Sequence, residues 1–95
     1  QVTEQLELQH QQAVRNVTNA YDNWMAAKEQ LSVSKEYFAL ISGVNREGLT
    51  SQIEFLDAAN QVTNAELFVH IQYQNYLSAL AELERATATY PLNLN

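Results

Sequence analysis

The chain has 95 residues, a formal charge of −6 and no cysteine. That length holds one domain at most, the charge disfavours a nucleic-acid partner, and the missing thiols remove disulfide, thiolate–metal and cysteine-nucleophile chemistry. A hydrophobic content of 46% argues against disorder, and no apolar run reaches the ~18 residues a membrane-spanning helix needs.

The first forty-odd residues contain no helix breaker before Gly43, and Gln1 heads no Arg/Lys-led signal segment. From Leu6 an inward row recurs every three or four residues: His10, Ala13, Val17, Ala20, Trp24, Ala27, Leu31, Ser34, Phe38 and Ile41. This is the spacing of a and d positions in a heptad, and only His10 and Ser34 interrupt it. A weaker apolar row runs beside it through Val14, Tyr21, Met25, Tyr37, Leu40 and Val44. Gln, Asn and Ser fill most other positions. The pattern predicts one helix over about 2–44, roughly 60 Å long at 1.5 Å per residue.

Gly43 and Gly48 are the only glycines, and they mark a turn over about 43–50. Glycine commonly follows a helix C-terminus because it enters the left-handed region without a Cβ penalty. Thr50 or Ser51 then caps a second helix, with Glu54 three residues after Ser51 as in a capping box.

The second helix is predicted over about 51–88, with an exit segment at 89–95 containing Pro91. Phe55, Val62, Val69, Tyr76 and Leu83 recur at seven, with Ala59, Tyr73 and Leu80 interleaved and Glu66 as the break. A separate row of Ala58, Ala65, Gln72, Ala79 and Ala86 suits the close approach of a neighbouring helix. Leu56, Leu67, Ile71 and Leu77 add apolar area on a further side. The expected fold is therefore all-α, a single long antiparallel, coiled-coil-like helical hairpin over 1–95.

Pairing about the turn matches residues whose numbers sum to about 97. It sets Tyr21 by Tyr76, Trp24 by Tyr73 and Phe38 by Ala59. One hairpin has one seam, so the remaining apolar rows call for further helices to cover them.

Candidate chemistry is sparse. The pairing puts His10 and His70 at opposite ends, and Glu66 with His70 supplies two ligands at most, so no metal site is expected. The bundle di-iron motif Glu-x-x-His is absent. Asn16-Val17-Thr18 fits a glycosylation sequon inside a helical run, where a plain helical role is the simpler reading. Tyr21, Trp24, Phe38, Tyr73 and Tyr76 stand at helical spacing in an acidic chain, as core does. Glu54 and Asp57 stand three apart in the first turn of the second helix. Capping and the helix dipole account for both, and a carboxylate pair projecting from the tip is the sharper alternative. No catalytic constellation or cofactor motif can be assembled, so no enzyme activity and no cofactor are expected.

Glu47-Gly48-Leu49-Thr50-Ser51-Gln52-Ile53-Glu54-Phe55-Leu56-Asp57-Ala58 resembles the tip of the TolC-like outer-membrane efflux protein family. Asn64-Ala65-Glu66-Leu67 and the run from Tyr73 to Leu83-Glu84-Arg85-Ala86 resemble that family's last long helix. Ala13 to Tyr21, followed by Trp24, resembles the start of the preceding one. The resemblance implies the C-terminal periplasmic hairpin of a trimeric channel subunit. Its parent is then a Gram-negative outer-membrane protein whose helical hairpins form an α-barrel tunnel. That tunnel conducts substrates from an inner-membrane pump through a periplasmic adaptor. It also implies that Gly48, Leu49 and Thr50 contact the adaptor, and that Glu54 and Asp57 line the pore constriction.

The chain departs from the family in lacking the β-strands and in a spacing from Tyr21 to Gly48 about one heptad short. Thr50 also stands where some members carry a basic residue. The rival reading is a soluble helical-hairpin interaction module that self-associates into a four-helix bundle. A third candidate is the hairpin of the adaptor itself.

Overall fold

A computed structural model of the chain describes residues 2–48 and 51–89. It contains two helices, α1 (Val2–Arg46, 45 residues) and α2 (Gln52–Thr89, 38 residues), and no strand among the described residues. The helix limits fall within two residues of those expected from the sequence. The one shift with a physical cause is at Gly43, which stays helical. Among the described residues Gly48 alone supplies left-handed backbone, at φ 77°. Of the exit segment, Thr89 belongs to α2 and residues 90–95 lie outside the described residues.

Two compact units share these helices. One, the terminal unit, comprises Gln1–Trp24 with Gln72–Asn95, and the other, the turn unit, comprises Met25–Ile71.

In the terminal unit the helices are joined by rings. Tyr21 meets Tyr76 with centroids 5.7 Å apart, and Trp24 meets Tyr73 at 4.8 Å. As one residue number rises the other falls, so the segments run antiparallel, in the register expected from the sequence. Trp24 also stacks on Tyr76 at 5.4 Å and 23°, and meets Tyr21 edge-on at 6.1 Å and 83°. Such offset and edge-to-face pairs each add about 1 kcal/mol beyond the area they bury. Ala13 is buried beside them in sequence, and Val17, Ala20 and Leu83 are half-buried.

In the turn unit the most buried positions of the seam are small residues. Ala27, Ser34, Ala58 and Ala65 are buried, with Ala58 0% exposed. Phe38, Phe55, Val62 and Val69 are half-buried around them. Ala58 and Ala65 therefore belong to the seam itself. Counted from Phe55, steps of three and four pass through Ala58, Val62, Ala65 and Val69. The two rows separated by sequence reasoning are alternate positions of one heptad stripe.

Phe38 packs on Phe55, with centroids 5.5 Å apart, a ring pair one turn from the expected Ala59, which is half-buried. Neither Ala58 nor Ala59 offers a ring, and the aromatic surface nearest to Phe38 lies one turn closer to the chain reversal. Every member of the row from Leu6 to Ile41 is buried or half-buried, so the inward face of α1 was legible throughout.

Candidate functional site at the turn and its flanking faces

The end of α1 closes by tightening. The Glu47 amide donates to the Val44 carbonyl at 3.1 Å and the Gly48 amide to the Asn45 carbonyl at 2.9 Å. With Gly48 left-handed, the second bond is one arm of a Schellman-type cap. No atom lies within 4 Å of where a Gly48 Cβ would stand. The requirement for glycine is therefore one of backbone conformation, not of space. Leu49 and Thr50, the other two residues of the expected adaptor-docking turn, lie outside the described residues.

The start of α2 is a complete capping box. The Glu54 amide donates to Ser51 Oγ at 3.0 Å, and the Ser51 amide donates to Glu54 Oε1 at 3.2 Å. The Ser51 carbonyl accepts the first helical bond, from Phe55, at 3.1 Å. Ser51 is thus the cap that Thr50 or Ser51 was expected to provide. This reciprocal pair satisfies two amides that the helix itself leaves unpaired.

The cap bears on the expected pore-lining pair. One Glu54 oxygen is committed to the Ser51 amide, so the carboxylate is folded back on its own helix start. Asp57 is held along the helix, with Oδ2 accepting from Gln61 Nε2 at 3.1 Å. Both side chains are exposed, both add negative charge where the α2 dipole is positive, and they stand three apart on one stripe. The arrangement can attract cations or meet a basic surface. Among the described residues no group of three or more His, Asp or Glu side chains is placed to hold a metal ion. His10 is half-buried in the terminal unit and His70 exposed in the turn unit. Asn16 accepts a hydrogen bond from Gln12 at 3.1 Å, and Thr18 donates to the Val14 carbonyl at 3.2 Å, so both sequon side chains serve the helix.

The larger feature of the turn unit is what lies outside its seam. Val33, Tyr37 and Leu40 are 51%, 42% and 65% exposed, and each immediately precedes a seam residue. On α2, Phe68 and Ile71 hold the same relation to Val69 and Gln72 and are also exposed. In an antiparallel pair, residues that precede seam positions on both helices share one face. Gln30, Gln61, Asn64 and Phe68, all of this kind, line a groove over buried Ser34 and Ala65. Residues that follow seam positions share the other face. They include Leu56 on α2, 52% exposed, and Lys28, Lys35 and Arg46 on α1.

Sequence reasoning named Val14, Tyr21, Met25, Tyr37, Leu40, Val44, Leu56, Leu67, Ile71 and Leu77 as apolar area outside the main rows; all are exposed except Met25 and Val44, which are half-buried. It missed Val33, Ile53 and Phe68. For Val33 the signal was present, since steps of four and three from it reach Tyr37 and Leu40. Phe68 required the corrected α2 seam before its face could be assigned. No helix of the described residues is long and apolar enough to cross a membrane. No protein-family model, curated protein or solved structure matches the chain.

Proposed function

We propose that the chain is a tunnel-forming hairpin of a TolC-like outer-membrane efflux channel subunit, acting by assembly rather than catalysis. The observation that carries the reading is the set of large apolar side chains left exposed outside the seam of the turn unit, whose most buried positions are small. Small residues lie inside at Ala27, Ser34, Ala58 and Ala65, while Tyr37, Leu40, Leu67 and Ile71 face outward. A helix pair that must stand alone puts its large apolar side chains inward. A pair built into a larger helical wall keeps a close seam and offers large side chains to further helices. The tip residues that resemble the family give that wall a direction.

In this reading the segment lies in the periplasm, and its parent trimer passes substrates delivered by an inner-membrane pump and its adaptor. Gly48, Leu49 and Thr50 form the adaptor-facing turn. Asp57 and Glu54 contribute charge to the pore mouth.

The test is conductance of the intact parent protein in a planar bilayer. Glu54→Gln with Asp57→Asn is expected to weaken cation preference while leaving the channel assembled. A parent protein that forms no conducting channel, or a double variant with unchanged ion preference in an assembled channel, contradicts the tunnel reading or the pore-lining role respectively.

A further inference from the structure

The terminal unit carries a row of amides on one side. Every seam residue of α1 in this unit follows an amide: Gln5 stands before Leu6, then come Gln9, Gln12, Asn16 and Asn19, and Asn23 stands before Trp24. All six are exposed, and residues so spaced lie along one helix face. On α2 the matching positions hold Asn75, Ser78, Glu82 and Arg85. The face is neutral, because the only charges among these positions, Glu82 and Arg85, pair with each other at 2.6 Å. The other face of the unit exposes Val14, Tyr21, Tyr73 and Leu77. A face that only had to stay wet could use any polar residue of a chain with 11 carboxylates, yet no carboxylate interrupts the amides of α1.

From this pattern we propose that the amide face of the terminal unit binds a neutral, extended β-1,4-linked glycan. An amide donates from its nitrogen and accepts at its oxygen, so each one can serve a sugar hydroxyl in either role. The row is partly fixed in place. Gln12 Nε2 donates to Asn16 Oδ1 at 3.1 Å, and Arg15 donates to Gln12 Oε1 at 2.8 Å. Beside Gln9, Gln12 and Asn16, the small side chains of Ala13 and Ala86 leave a groove of about 410 Å³, within the range of small-ligand sites. Spacing selects the occupant. Steps of three and four residues place an amide about every 5.3 Å along the helix. One sugar of an extended β-1,4-linked chain advances by nearly the same distance, so hydroxyls stay in step with amides along the whole row. An extended polypeptide turns like-facing groups to the same side only about every 6.7 Å, and it slips out of register within the row. An anionic ligand is disfavoured by the net charge of −6. The proposal uses neither the turn nor any property of a tunnel, so it and the proposed function can each fail alone.

The side-chain amide resonances of Gln and Asn report on this face directly in the isotope-labelled 95-residue chain. Titration with cellohexaose should shift those of Gln9, Gln12, Asn16 and Asn19, and leave those of Gln61 and Asn64 in the turn unit in place. Cellohexaose should bind at least about tenfold more tightly than cellobiose, since each added sugar makes contacts without a second loss of translational freedom. Gln9→Ala with Asn16→Ala should weaken its binding at least about fivefold, the size of one or two lost hydrogen bonds. Both positions are exposed, so circular dichroism should show unchanged helix content. Gln11→Ala with Gln74→Ala, polar but off the face, should leave binding as it was. Cellohexaose that shifts none of the row overturns the proposal. So do equal affinities for cellobiose and cellohexaose, an on-face pair without effect, or an equal loss in the off-face pair. Equal binding of maltohexaose, whose α-1,4 links curl the chain, or of a neutral Gly-Ser peptide of similar length overturns it as well. Row resonances that move with protein concentration alone would assign the face to another copy of the chain and refute the glycan.

Discussion

Around Trp24 the helices are joined by rings, whereas the most buried seam positions of the turn unit, Ala27, Ser34, Ala58 and Ala65, carry side chains no larger than a methyl or a hydroxymethyl group. In the terminal unit Tyr21, Trp24, Tyr73 and Tyr76 form one connected cluster, and its groove beside Ala13 and Ala86 is walled by polar and charged side chains, Asn16, Glu82 and Arg85 among them. There Arg85 pairs with Glu82 at 2.6 Å, both side chains largely exposed, a contact worth under about 1 kcal/mol. In the turn unit the groove beside Ser34 and Ala65 has no charge on its walls, and an exposed Phe68 borders it. The contrast separates two tasks. The terminal unit gathers four rings where α1 meets α2, although Leu8, Val14 and Leu77 stay exposed, and the turn unit leaves Val33, Tyr37, Leu40, Leu67, Phe68 and Ile71 exposed to something else.

The comparison can be broken at its strongest point first. Trp24→Ala removes the hub of the ring cluster and should cost about 2–3 kcal/mol, below the range for a fully buried Trp because Trp24 is half-buried. Thermal unfolding by circular dichroism measures the loss, and hydrogen exchange should place it in the terminal unit first. An effect under about 0.5 kcal/mol, the size of an ordinary surface change, would mean that the rings do not hold that unit together.

Ala58→Leu attacks the turn unit by the opposite route. Ala58 has no exposed surface, and extra methylenes in a close seam cost about 1–3 kcal/mol. If this substitution instead stabilised the chain, the seam would be loose and the small size of its most buried positions without consequence.

At the turn the expected effects are smaller. Ser51→Ala removes the hydroxyl that receives the Glu54 amide and should cost about 1 kcal/mol. Gly48→Ala should cost a similar amount, about 1–2 kcal/mol, through its left-handed φ alone. Combining Ser51→Ala with Glu54→Gln should cost less than the sum of the two single changes, because the residues form one reciprocal cap. Full additivity would show that the two hydrogen bonds act independently.

The smallest change in stability is expected where the sequence is most apolar. Tyr37→Ser with Leu40→Ser should move the unfolding of the dilute chain by no more than about 0.5 kcal/mol, since both side chains are largely in water. The same pair should impair association. A large loss of stability in dilute solution would place these residues in the core of the single chain.

Much of this arrangement could be read from the residues. The a/d row of α1 was visible because Ala13, Trp24, Ala27 and Phe38 keep heptad spacing while polar residues fill the gaps. The cap was visible because Ser51 and Glu54 have the chemistry and separation that a reciprocal cap requires, and Gly48 supplied the stop. The seam of α2 was harder to read. Its d positions are alanines, whose weak hydropathy does not distinguish a buried line from a neutral surface. Only burial of Ala58 and Ala65 joined them to Phe55 and Val62. The Phe38–Phe55 pair was not foreseen because a pairing sum treats side chains as points, whereas a ring reaches a full turn along its partner helix. The sense of Glu54 also changed. Sequence spacing allowed either a cap or an outward charge, and the structure assigns one of its oxygens to the cap.

The central claim is that the outward face of the turn unit is a contact surface. The chain has no cysteine, so a single Leu40→Cys reports on that face without background. Its alkylation by a maleimide should slow as the concentration of the chain is raised, while Glu29→Cys, on the polar side of α1, reacts at a constant rate. Equal and concentration-independent rates at the two positions would contradict the account.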